Sequence, residues 1–239
     1  MRGRSYVGTS GFAYKQWKPE FYPEKLKPAD MLRYYAERLP SVEINNTFYR
    51  MPSAKLVAGW RDETPESFRF TLKAPQRITH VAKLAGAGEL VERFLEAART
   101  LGPRLGCLLF QCPPWLRYEA ARLDDFLAVL PGDGIRVAME FRHASWDVRE
   151  VKAKLAARNV AWCTVDGDES APRVERTAGT FVYLRLRRSA YDEPLLDTWS
   201  ATLAPVVDGG ADVYVYFKHE DDPSGVRYAN RLLATLGRT

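Results

Sequence analysis

Cysteine and histidine are scarce in this 239-residue chain, which holds three of each. Cys107, Cys112 and Cys163 are an odd number at no zinc-ligand spacing, so neither a disulfide framework nor a structural zinc site is expected. They read as small apolar residues in a reducing compartment. His80, His143 and His219 stand apart, with no His-x-His and no HExxH spacing, which argues against zinc. No apolar run approaches the length of about 20 residues that a membrane span needs. The opening Met1-Arg2-Gly3-Arg4-Ser5 carries no apolar stretch of the signal-peptide kind, and a cytoplasmic location is the default expectation. Linkers, low-complexity tracts and solenoid-period repeats are missing as well, so a single domain over residues 1–239 is expected. No Walker sequence is present. Gly86-Ala87-Gly88 lacks the third glycine and the preceding strand of a dinucleotide site, and Gly8-Thr9-Ser10-Gly11 is not a nucleophile elbow.

What is present is enough apolar side chain, 46% of the residues, for a substantial core. The net charge of +5 and the sequence pI near 9.1 favour an acidic ligand, whether a phosphorylated metabolite or nucleic acid. The same Arg and Lys residues, scattered along helical segments, also read as solvated surface charge.

Strand-like and helix-like patterns alternate along the chain. Strands are expected over residues 6–10, 41–52, 68–74, 105–111, 136–141, 160–165, 181–186 and 213–217. Helices are expected over 28–39, 53–64, 89–101, 122–130, 148–157 and 226–236. The stretch 168–180 is polar and aperiodic, so the sixth helix should be short or missing. This alternation implies parallel strands and right-handed crossovers, with a (β/α)8 TIM-type barrel as first choice and an open doubly wound sheet as the alternative.

The stretch 41–52 organises the functional reading. Val42 and Ile44 alternate with Glu43, Asn45 and Thr47, so one strand face is apolar and the other carries a carboxylate, an amide and a hydroxyl. Later strands repeat this phase with Thr71 and Lys73, Gln111, Glu140 and Arg142, Thr164 and Asp166, Arg185 and Arg187, and Tyr216 and Lys218. If the apolar sets turn to the helices, these polar sets meet at the carboxyl ends of the strands, where such barrels keep their chemistry. Glu43 and Glu140 are then the candidates for acid and base, and Lys73 for a nucleophile or base with a lowered pKa. The purely structural alternative is a set of ion pairs closing the barrel top, such as Glu140 with Arg185. Arg185, Arg187, Arg188 and Lys218 flank the usual phosphate position, and Asp222-Pro223-Ser224-Gly225 opens the last helix, whose N–H groups could hold a phosphate. A carboxylate-held Mg2+ or Mn2+ at Glu43, Glu140 and Asp166 stays open, although no ligand spacing supports it. Tyr14, Trp17, Phe48, Tyr49 and Trp146 read either as pocket walls for a planar or sugar-like ligand or as a lid packed onto the barrel.

Taken together, several ordered motifs resemble those of the YecE-like family, also called domain of unknown function 72. They are Gly8-Thr9-Ser10-Gly11 with Tyr14 and Trp17, then Glu43-Ile44-Asn45-Asn46-Thr47-Phe48-Tyr49. Phe70-Thr71-Leu72-Lys73-Ala74-Pro75 with Ile78-Thr79-His80, Leu109-Phe110-Gln111-Cys112-Pro113-Pro114, and Glu140-Phe141-Arg142-His143 with Ser145-Trp146 follow. The resemblance implies a TIM-barrel-like fold with a polar pocket at the strand ends. This chain departs from it near its end: Arg185-Leu186-Arg187-Arg188 stands where Arg-x-His-Gly is frequent, and Lys218-His219 where paired asparagines are common. The extra arginine strengthens the anion reading.

Two functions are therefore expected to compete. One is an enzyme of hydrolase or isomerase type, working by carboxylate acid/base chemistry on an anionic substrate. The other is a non-catalytic protein that binds an anionic metabolite or nucleic acid through the same rim, with Asn45, Tyr14, Trp17, Tyr49, His80, Gln111, Arg142, Trp146, Asp166, Arg185, Arg187 and Lys218 as binding residues in either case.

Overall fold

Alternation along each strand sorts side chains between two cores. Val42, Ile44, Phe70, Leu72, Leu108, Phe110 and their equivalents pack outward against helices. Tyr6, Cys107, Leu109, Ala138, Ala161, Cys163, Phe181, Tyr183, Tyr214 and Tyr216 form a separate cluster along the barrel axis. The computed structural model describes residues 1–218 and 221–237. In chain order the elements are β1 (Ser5–Ser10), α1 (Met31–Ala36), β2 (Ser41–Ile44), α2 (Ala54–Asp62), β3 (Arg69–Lys73), α3 (Gly88–Arg99), β4 (Leu105–Gln111) and α4 (Ala120–Ala128). Then come β5 (Val137–Glu140), α5 (Arg149–Ala157), β6 (Ala161–Asp166), β7 (Phe181–Leu186), α6 (Glu193–Asp208), β8 (Asp212–Phe217) and α7 (Ser224–Leu236). Every neighbouring pair of strands is parallel, and β1 pairs with both β2 and β8, so the sheet closes into a (β/α)8 barrel rather than staying open.

Local chemistry sets the element ends. The Ser53 hydroxyl accepts from the Leu56 N–H and starts α2. Gly8 lets β1 approach β2, because a Cβ there would fall 1.9 Å from the Ser41 carbonyl oxygen. As the sequence suggests, residues 167–180 form no helix. This segment lies beside β6, where the Thr177 hydroxyl donates to the Val160 carbonyl and accepts from the Trp162 N–H.

Two expectations on elements need correction. The second strand ends at Ile44, and Asn46–Phe48 is a tight turn, because the Thr47 hydroxyl donates to the Ile44 and Lys73 carbonyls and folds the chain toward β3. The sequence reading also places no helix between the last two strands, where α6 is the longest of the described helices, at 16 residues. Asp192 caps it by accepting from the Leu195 N–H, Pro194 sits in its first turn, and Leu196, Trp199, Leu203, Val206 and Val207 supply its buried stripe.

Candidate functional site at the carboxyl-end mouth of the barrel

Below the mouth, the barrel axis is filled with tyrosines. Tyr6 and Tyr214 stack at 4.8 Å, Tyr183 lies next to Tyr214 and Tyr216, and the Tyr216 hydroxyl bonds the hydroxyls of Ser41 and Thr71. On this floor the Tyr183 O–H donates to Glu43 Oε2 at 2.6 Å. The other Glu43 oxygen accepts from the Ser10 hydroxyl at 2.8 Å and from Arg185 Nη2 at 2.7 Å. Across the barrel, Glu140 Oε2 accepts from Arg185 Nη1 at 2.6 Å, while its Oε1 accepts from Gln111 Nε2 and Arg142 Nε at 2.7 and 2.8 Å. Asn45 completes the set with its Oδ1 at 3.3 Å from Arg185 Nη2. One guanidinium thus joins carboxylates from β2 and β5, and all three groups are at most 2% exposed.

The charges in this cluster do not balance. Glu43 and Glu140 face Arg185, Arg142, Arg187 and Lys73, two carboxylates against four cations. Burial alone would raise the Glu43 carboxyl, but Arg185 and Arg187 outweigh it and hold the group at about 2. Glu140 is lowered in the same way, against burial, by Arg185 and Arg142. Burial and the Arg185 charge push the Lys73 ammonium down to about 8, with Glu43 and Glu140 only partly opposing. Its Nζ lies 4.0 Å from the centre of the Phe48 ring, and no ion pair joins it among the described residues. Arg187 reaches Glu43 only at 3.9 Å, and its buried Nε–H has no acceptor among the described residues. His80, whose Nδ1 bonds the Thr79 hydroxyl, is lowered by burial and by Lys73 and Arg142.

Glu43, Asn45, Lys73, Gln111, Glu140, Arg142, Arg185, Arg187 and His80 therefore gather at one mouth. Asp166 does not. Val165 pairs with Arg185 in the β6–β7 ladder and shares its inward face, so Thr164 and Asp166 point to the helix layer. There Asp166 accepts from Arg188 Nε, the Tyr191 hydroxyl, Trp199 Nε1 and the Ser170 hydroxyl. The metal trio of Glu43, Glu140 and Asp166 is thus not assembled, and among the described residues no three His, Cys, Asp or Glu side chains come together to hold an ion. Arg188 is likewise turned outward onto Asp166 and the backbone of Asp168 and Ser170. Lys218 is exposed just beyond β8, and among the described residues no side-chain bond carries its ammonium to the cluster. His219 lies outside the described residues. At the start of α7 the Asp222 carboxylate takes the Ser224 N–H, so one donor of this terminus is already occupied by the chain's own acid.

The aromatic set divides. Trp17 and Trp146 are fully buried. Trp17 packs among Tyr14, Phe21 and Tyr22, and Trp146 stacks on Phe141 at 4.4 Å while donating to the Leu116 carbonyl, so both rings are taken up by packing. The Tyr14 O–H donates to the Ser10 carbonyl, beside Gly11, which is held at φ +91° where a Cβ would strike the Tyr14 hydroxyl. Phe48 and Tyr49 do stay at the mouth. Sequence reasoning missed Ser10, Tyr183 and Trp115. Tyr183 precedes Arg185 by two and so shares its inward phase, and Trp115 follows the Pro113-Pro114 break directly past β4; both signals were available. Beside the cluster, β5 and β6 stop pairing after Met139 and Trp162, and a cleft of about 570 Å3 opens between their ends, lined by Phe141, Arg142, Trp162, Cys163, Val165 and Arg173 among others, with Asp166 also on its wall.

No helix among the described residues is long and apolar enough to cross a membrane. Residues 6–239 match the family model described as "Protein of unknown function DUF72". The UPF0759 protein YecE of Escherichia coli (strain K12) is 37% identical over 113 residues, 47% of this chain and 41% of that protein. The UPF0759 protein YunF of Bacillus subtilis (strain 168) is 31% identical over 149 residues, 59% of this chain and 51% of that protein. The matches span about half the length of these curated relatives. The crystal structure of a DUF72 family protein from Thermotoga maritima superposes with a TM-score of 0.85 at 27% identity, covering 98% of this chain and 99% of that one. On the strength of the full-length family match, this chain belongs to the DUF72 family.

Proposed function

We propose that the chain binds a small anion, a phosphorylated or carboxylated metabolite, at the carboxyl-end mouth, and that Lys73 and His80 are the groups that can exchange protons with it. The observation carrying this reading is the charge excess: Glu43 and Glu140 are saturated by Arg185, Arg142, Gln111, Ser10 and Tyr183, which leaves Lys73 with no ion pair among the described residues and Arg187 with only a long 3.9 Å contact to Glu43. An anion would add hydrogen bonds to cations already desolvated, where charge-assisted bonds are strong.

The carboxylate pair is better suited to holding these cations than to moving protons. A base near pH 2 is weak at neutral pH, since general catalysis favours a pKa near the working pH. Lys73, at about 8, meets that condition, and His80, lowered by burial and by Lys73 and Arg142, stands close to it as an uncharged imidazole. Proton transfer in a hydrolysis or an isomerisation fits this arrangement. The saturation of both carboxylates equally favours a second reading, a protein that binds an anion without altering it.

Calorimetric titration with inorganic phosphate and with phosphorylated and carboxylated metabolites tests the binding. Arg187→Ala should weaken the tightest anion by about tenfold or more, the value of a charged hydrogen bond, while leaving the melting temperature of the free protein nearly unchanged. If no anion binds at millimolar concentration, the reading falls. Recovery of the bound metabolite, unaltered or converted, separates binder from enzyme.

A further inference from the structure

We infer that the anion taken at this mouth carries a flat, unsaturated ring, and that the row formed by Tyr49, Phe48, His80 and Trp115 is the surface that holds it. The inference rests on the anion reading and adds the chemical class of the ligand's body. These four side chains come from the loops after β2, β3 and β4, and each ring touches the next. Phe48 meets Tyr49 edge-on at 5.2 Å and His80 at 4.9 Å, and His80 meets Trp115 edge-on at 6.3 Å.

The row meets the cation cluster at its two middle members: Lys73 Nζ sits 4.0 Å over the Phe48 ring, and the charges of Lys73 and Arg142 both reach His80. At the Trp115 end Lys83 lies 5.5 Å from the indole ring. Unlike the buried Trp17 and Trp146, two members of the row are open: Tyr49 is 75% and Trp115 54% exposed, with Val81 between their loops 70% exposed. Several large apolar side chains exposed on one rim, beside cations in excess, are what a small aromatic anion would cover; single exposed rings would need no such account. The cleft between β5 and β6 competes for the same role less well, since Phe141 there is already packed between Trp146 and Trp162.

The test compares inorganic phosphate, glycerol phosphate and phenyl phosphate by calorimetry on the whole chain and on Trp115→Ala. Trp115 is half exposed and lies outside the ion cluster, so the variant should fold; its far-ultraviolet circular dichroism and melting temperature check this. Phenyl phosphate should bind the native chain about tenfold more tightly than either of the others, and the variant should lose most of that preference while its affinity for inorganic phosphate holds. Equal affinity for all three anions, or a preference that survives in both Trp115→Ala and Tyr49→Ala, would overturn the aromatic assignment and leave the anion site standing. Failure of every anion to bind would remove both. A short single-stranded oligonucleotide that binds far more tightly than phenyl phosphate, with a steep dependence on salt, would overturn the small-ligand class in favour of a nucleic-acid surface.

Discussion

Arg185 is the side chain through which Glu43 and Glu140 become one body, and its removal or theirs should be felt as stability rather than as surface chemistry. Glu43→Gln keeps the shape but leaves Arg185 half compensated in a buried site, where losing one partner of a buried pair costs about 3–5 kcal/mol. Urea denaturation at neutral pH measures it, and a loss below 1 kcal/mol would show that the pair is not needed to hold the mouth. The acid limb carries the same signature. Because the folded Glu43 titrates at about 2, below its ordinary 4.5, its contribution is complete above 4.5 and disappears as the pH falls toward 2. Urea midpoints should therefore drop through that window in the native chain and drop less in Glu43→Gln. Lys73 moves stability in the same direction with pH, but at neutral pH it is a penalty where Glu43 is a gain. Its amine loses the proton at about 8 when folded and at 10.5 when unfolded, so the penalty of burying its charge is relieved as pH rises between those values. Competitive acetylation should find one lysine titrating near 8, and phosphate affinity should weaken above that pH. An ordinary lysine titration at position 73 would contradict both.

Among the elements, α6 shows why a pattern visible in the structure was hard to read beforehand. Its buried stripe includes the polar Ser200 and its exposed face the internal Pro205, so the periodicity looks weaker than the 16-residue helix it builds. What starts it is local: Asp192→Ala should cost about 1 kcal/mol through the lost cap, read from the thermal midpoint, and Asp192→Asn should recover most of it. The strands were legible because burial on both faces leaves few alternatives for runs such as Leu105–Gln111 and Phe181–Leu186. Phase was legible wherever a charge had to face the axis, as at Lys73, Glu140 and Arg185. It failed in β6, where inward Cys163 and Val165 are apolar and the polar residues Thr164 and Asp166 bond to elements outside the barrel, a partner choice that alternation cannot reveal. It failed again after Ile44, where side-chain bonds from Thr47 end the strand while the polar alternation continues.

At the scale of the whole barrel, the ladder is uneven and the ion cluster spans the gap. β7 and β8 are paired at six positions and β6 and β7 at four, but β5 meets β6 only at Ala138 with Ala161 and Met139 with Trp162. Beyond those two pairs the strands part, the cleft opens, and the mouth is tied across instead by Arg185 to Glu140 and Glu43. Opening at a seam exposes few ladder bonds where few exist, so its free energy should lie below that of global unfolding. Amide hydrogen exchange should show the protons bridging β5 and β6 exchanging before those joining β7 to β8. An anion bound to Arg142 on one side of the seam and Arg187 on the other should narrow that difference, because it adds a link across the part of the barrel with the shortest ladder. Uniform protection around all eight strands, unchanged by phosphate, would mean that the closed sheet opens only as a whole and that the charged mouth contributes nothing to holding it shut.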